Sequence, residues 1–245
     1  FSGGVPIGTA DSASDTTTSQ QSQQSEYNGQ PSVQTEIITG TSPQIGELDA
    51  SDVELSPSAE YFLRDADESV RQCYREIYSG IAQYSENIDI TDGVISSQQL
   101  DAFMSLVICT SPELNQLDSS YSIVVGGDNY VRSLNVSYVK SREEGDSQLA
   151  QLRAEVESIY LQAEGLDNYE KLKYFHDMII LKCAYSDETE NAHSAYGCLI
   201  EGRAECEGYS KAMLMLCSRA GILCIPVLGE SYDTYGEVVP HMWNM

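Results

Sequence analysis

The chain has 245 residues, room for one or two domains, and its 38 acidic residues against 13 basic ones give a formal net charge of −25. So large an acidic excess leaves little to neutralise phosphates, which argues against nucleic acid and anionic membrane surfaces as partners. No apolar run reaches the length of a membrane span. The acidic balance fits a solvated surface that keeps an exported protein soluble.

Residues 1–58 (DSASDTTTSQQSQQSEYNGQPSVQTE at their centre) are rich in Ser, Thr and Gln and hold no Lys, Arg, His or Cys. Such a stretch buries too little apolar surface to offset its ordering entropy and is read as a disordered linker, with EIITG (36–40) as a transient strand. The chain starts at Phe1 without a charged and apolar leader, as a mature or excised product would. From Ser56 a helix-start signal appears, with Pro57 in the first turn, and Val70, Tyr74, Ile77 and Ile81 continue a helical face whose end Gly80 weakens. A second helix is expected from about Ser97 to Cys109, with Leu100, Phe103, Met104 and Val107 on one side. YSIVVGGDNYVRSLNVSYV then reads as two strands around Gly126-Gly127-Asp128-Asn129. Residues 59–140 are therefore expected to form a small α+β domain.

A helix over 143–164 presents Leu149, Leu152, Val156, Ile159 and Tyr160. Asp167 and Glu170 look like a capping box for the next helix, which carries Leu172, Phe175, His176, Ile179 and Cys183 inward. On that face His176 reads as a hydrogen-bonded core histidine. His193 lies in the polar loop DETENAHS as surface decoration, and Ser194 caps a short helix through Leu199.

The stretch GRAECEGYSKAMLMLCSRAG (202–221) places Cys206 at the mouth of a helix that ends at Ala220, with Gly221 as its left-handed terminator. Unpaired N–H groups at a helix start favour a thiolate, while Glu205 and Glu207 oppose it, so the thiol needs a base. His241, in VVPHMWNM, is the candidate. If its strand pairs with residues 222–228 and the sheet packs on the Cys206 helix, imidazole and thiol can meet, the logic of a cysteine acyl-transfer enzyme. Val239, His241 and Trp243 share one face of that strand.

AYGCLIEGRAECEGYSKAMLMLCSRAGILCIPVLG followed by HMWN resembles the transglutaminase-like superfamily, with LKYFHDMIILKCAY similar to its lead-in helix. The resemblance covers residues 165–245, and more loosely the region from Ala59, which is similar to the leader of exported bacterial members. It implies an α+β, papain-like core over 141–245, in which a helix carrying Cys206 packs on an antiparallel sheet carrying His241. It implies a Cys–His–Asp triad with Cys206 as nucleophile and His241 as base. The triad Asp would lie on the strand after the histidine; the sequence stops at Met245, and no residue is assigned that role.

The expected activity is acyl transfer on protein or peptide amides, the thioester passing to water or to a lysine-like amine. Tyr196 is a candidate oxyanion donor or a cap on the core, and Trp243 a shield around His241. The backbone N–H of Cys206 is the readier oxyanion donor. No cofactor is implied. The seven cysteines show no C-x-x-C spacing, so no metal site is expected; in an exported protein some would form disulfides, with pairing left open. The alternative is a non-catalytic cell-surface binding or structural module that retains the fold.

Overall fold

The computed structural model describes Ser32, Val33 and residues 50–245 apart from Thr234. The linker expected over 1–58 falls mostly outside the described residues, as does the EIITG strand. The folded chain nonetheless reaches back past residue 58. Strand β1 (Ser32–Val33) runs parallel to a later strand, a 3-10 turn at Ala50–Asp52 buries Ala50, and helix α1 (Pro57–Phe62) is capped by Ser56 Oγ, which accepts from Ala59 N–H at 3.2 Å.

The single helix expected after Pro57 is two. Helix α2 (Glu68–Ala82) starts afresh after Asp67 and runs through Gly80 without fraying. Gly80 is a contact point: a Cβ there would stand 2.5 Å from Ile88 on strand β2 (Asn87–Asp89), so its absence lets α2 lie against the sheet. Helix α3 (Leu100–Thr110) and the antiparallel strands β3 (Leu117–Val125) and β4 (Val131–Tyr138) complete this unit, with sheet order β1-β3-β4-β2. Its core gathers Tyr74, Ile77, Ile81, Ile88, Met104, Ile123 and Leu134. Each such burial stabilises by roughly 1.5–3 kcal/mol.

A second core follows. Helix α4 (Arg142–Gln162) contributes Leu152, Val156 and Ile159, and helix α5 (Asn168–Lys182) contributes Phe175 and Ile179. The Asp167–Glu170 capping box is present in full. His176 is not a core residue: it lies 100° around the helix from Phe175, is exposed, and places Nδ1 3.1 Å from Asp177. Strand β5 (Ala184–Tyr185) pairs in parallel with β6 (Arg203–Ala204), a π-helical turn (Gly197–Glu201) lies between them, and helix α6 (Cys206–Arg219) follows.

Helix α6 ends in a Schellman turn. Gly221 has φ +68°, Gly221 N–H bonds Ser218 O at 3.1 Å, and Ile222 N–H bonds Cys217 O at 2.9 Å. That turn uses up residues 221–222, so strand β7 (Pro226–Tyr232) begins later than expected and extends into the anticipated loop. It pairs antiparallel with β8 (Val238–Asn244), and the hairpin packs on α6. Helices and mainly antiparallel sheets give an α+β protein.

Candidate functional site

Helix α6 begins at Cys206 because Glu205, extended at φ −96°, leaves the helical region, while its N–H bonds Ala192 O at 3.0 Å. The first turn then presses into the loop before it. A Cβ on Gly208 would meet Ala192 O and Ala204 Cβ at 2.6 Å, so only glycine allows this approach. The consequence is positional: His193 is brought between the two acids that flank Cys206, Nε2 lying 3.3 Å from Glu205 and Nδ1 3.5 Å from Glu207.

Glu207 is nearly fully buried. Its Oε1 lies 2.6 Å from Lys211 Nζ, one helical turn on and equally buried. The acids that sequence alone set against a thiolate at Cys206 are thus each matched by a basic side chain. Cys206 is half-buried; of the other six cysteines only Cys109 is not buried. The helix start leaves positive potential at its sulfur.

The phenol of Tyr185 lies beside Cys206, where it interacts with both the Cys206 N–H and its thiol. Burial of the hydroxyl, then the Cys206 and Glu205 charges, hold the phenol above its ordinary value. Tyr185 stacks on Tyr209, with ring centroids 6.1 Å apart, and Tyr209 donates to Cys183 O at 2.6 Å. Sequence reading missed Tyr185 because a two-residue parallel strand has no periodicity to detect.

His241 sits in the middle of β8, half-buried, opposite Gly229. Its ring stacks on Trp243 at 5.9 Å and 29°, as their shared strand face requires. Trp243 leans over Gly229, where a Cβ would stand 2.5 Å from the indole. The other face of the strand carries the buried Met242 and Asn244, whose Nδ2 donates to Ser210 O of α6 at 3.2 Å. The hairpin therefore packs on the Cys206 helix, yet no hydrogen bond joins His241 to Cys206 among the described residues. Tyr196 turns to α4, donating to Gln151 Oε1 at 3.4 Å, and its ring packs on the second core.

Among the described residues no group of three or more His, Cys, Asp or Glu side chains converges as a metal site, and no helix is long and apolar enough to cross a membrane. No curated protein matches the chain. Residues 159–245 match the family model of the transglutaminase-like superfamily, which spans the end of α4, the Tyr185 strand, the Cys206 helix and the His241 hairpin. Over those residues, about a third of the chain, the protein is similar to the transglutaminase-like superfamily.

Proposed function

We propose that this protein performs thiol-dependent acyl transfer on protein or peptide amides, with Cys206 as nucleophile and His241 as base. The observation that carries the reading is a partly exposed thiol at the first residue of α6, beside a phenol and with both flanking carboxylates matched by basic groups. The Cys206 thiolate attacks the amide carbonyl, forming a C–S bond. The C–N bond then breaks as the imidazolium passes its proton to the departing amine. Water or a lysine-like amine resolves the thioester, giving hydrolysis or cross-linking. An exported or cell-surface setting, supported by the acidic surface, is part of the proposal.

The test pairs fluorescent-amine incorporation into a protein acceptor with peptide hydrolysis. Activity in either that is lost in Cys206→Ala and falls by about 10²–10⁴-fold in His241→Ala supports the assignment. Full activity in Cys206→Ala overturns it. Iodoacetamide should also label Cys206 faster than the other cysteines.

The second reading is a non-catalytic binding module that keeps the fold. It is favoured by one observation: His241 lies on the hairpin face opposite the Asn244 contact to α6, stacked on Trp243. Absence of both activities, with Cys206 alkylated no faster than an exposed peptide thiol, supports that reading.

A further inference from the structure

A cleft of about 340 Å³ opens where the two units adjoin, near the lower end of the range of about 300–1,000 Å³ for small-molecule sites. Both units line it. Ser58 on α1 and Glu113 after α3 come from the first, while Arg153 and Val156 on α4 and Leu214 and Met215 on α6 come from the second. The α6 residues that line it, Leu214 to Arg219, lie about 12–20 Å along the helix from Cys206. The cleft is therefore separate from the thiol and its surroundings.

Three polar groups in the cleft are unspent. Ser58 is 1% exposed, and its Oγ has no hydrogen-bond partner among the described residues. Buried hydroxyls in folded proteins are almost always bonded, so this one needs a reason. Arg153 makes no hydrogen bond or ion pair among the described residues, and its charge is felt at the Tyr78 phenol. Tyr78 in turn donates to Glu113 Oε1 at 2.7 Å, which leaves Glu113 Oε2 open. The neighbouring charges are already matched, since Arg219 Nη2 donates to Glu157 Oε1 at 2.8 Å. A cation, an open carboxylate oxygen and a hydroxyl thus share the cleft with the apolar side chains of Val156, Leu214, Met215 and Ile222.

A lone unpaired arginine on a helix surface is ordinary. An unpaired arginine, an open carboxylate oxygen and an orphaned buried hydroxyl lining one cleft are a set of complementary partners. A simple anion would suit Arg153 and be opposed by Glu113; a simple cation would meet the reverse. We propose that the cleft binds a small zwitterion with an apolar body, the chemistry of a short apolar peptide with both ends free. Its carboxylate pairs with Arg153, its ammonium with Glu113 Oε2, and its amide group bonds the Ser58 hydroxyl. Its side chains cover Val156, Leu214, Met215 and Ile222. Because the partners come from both units, the ligand ties the units together, and its binding stabilises the fold. The inference does not depend on the acyl-transfer reading.

The test is calorimetric titration of the full chain with the dipeptide Leu-Leu, beside N-acetyl-Leu-Leu, which lacks the ammonium, and Leu-Leu amide, which lacks the carboxylate. Leu-Leu should bind at one site with a Kd of about 0.2 mM, ordinary for a ligand of this size, and should raise the melting temperature. Each blocked dipeptide should bind about 10–100-fold more weakly, the worth of one charged hydrogen bond. Arg153→Met should weaken Leu-Leu to the same extent and make it bind like Leu-Leu amide; Glu113→Gln should make it bind like the N-acetyl form. Ser58→Ala should weaken it about five- to tenfold. Thermal melts of the unliganded variants establish that each is folded, and exposed Arg153 decides should a buried substitution fail. Absence of binding at about ten times the expected Kd, or unchanged affinity in any folded variant, overturns the proposal. Prior alkylation of Cys206 with iodoacetamide should leave Leu-Leu binding intact, and its loss would move the ligand to the thiol and overturn the cleft assignment.

Discussion

Replacing Lys211 with methionine tests whether the acids around Cys206 are held by buried charge pairing. Lys211 Nζ lies 2.6 Å from Glu207 Oε1, and the two side chains are only 5% and 7% exposed. At an effective dielectric near 20, unit charges at that separation attract by about 6 kcal/mol. Most of that attraction is offset by the cost of drying both groups, so the pair itself contributes little net stability. Removing one member is different, because the Glu207 carboxylate stays buried with only His193 at 3.5 Å to receive it. Lys211→Met should therefore cost about 3–5 kcal/mol, lowering the melting temperature by roughly 10 °C for a chain of this size. The Glu207→Leu/Lys211→Met double variant removes the charge as well and should recover to within about 2 kcal/mol of the parent. Urea denaturation of all four members of the cycle at pH 7, followed by circular dichroism, measures the coupling. A Lys211→Met loss below about 1 kcal/mol, or a double variant no more stable than the single one, refutes the reasoning.

Gly229→Ala introduces a methyl group 2.5 Å from the Trp243 ring, which must slide off its stack on His241. Since Trp243 is the chain's only tryptophan, its emission should shift to the red with little loss of stability; an unchanged spectrum counts against the stack. Burial pushes the Cys73 thiol up to about 12 and the Cys109 thiol up to about 11, from an ordinary value of 9.0. Both are thus protonated in the folded chain at a pH where the unfolded chain has released them. Their contribution is complete below pH 9.0 and is lost as pH rises towards 11–12, by several kcal/mol in total. Denaturation midpoints across that range should fall less steeply in Cys73→Ala/Cys109→Ala. Tyr185→Phe removes a hydroxyl within reach of the Cys206 thiol. Alkylation of Cys206 at neutral pH should slow about tenfold, the worth of one hydrogen bond to a charged group, while an unchanged rate would remove Tyr185 from the site.

What the sequence made legible was local and periodic. The Asp167–Glu170 box, the start of α6 at Cys206 and its end at Gly221 each rest on contacts between residues a few positions apart, and they appear as expected. The shared strand face of His241 and Trp243 follows from alternation alone. The break between α1 and α2 was hidden because the apolar spacing resumes in phase after Asp67. Glu207 and Lys211 stand at i,i+4, a spacing that by itself does not distinguish an exposed pair from a buried one; only the packing of α6 against α4, α5 and the hairpin buries it. His176 shows the opposite error, since an amphipathic stripe one residue too wide turned an exposed side chain inward on paper. The order of Cys206 and His241 and the packing of their elements were readable, but the direction of the imidazole depends on which hairpin face meets α6. No local pattern encodes that.

The family match begins inside α4, whereas the folding unit does not. Leu152 and Val156, which help close the second core, lie upstream of residue 159 on the same helix. Beyond them, Lys140 at the end of the first sheet donates to Asn191 Oδ1 at 2.6 Å, beside the loop that carries His193. Cys109 at the end of α3 feels both Glu207 and Lys211. A fragment trimmed to the recognisable motif would keep every residue of the proposed chemistry and yet sever a helix, untie that loop and let water reach the ion pair. The N-terminal expression boundary for this protein belongs before residue 50, not at residue 159 where the motif begins.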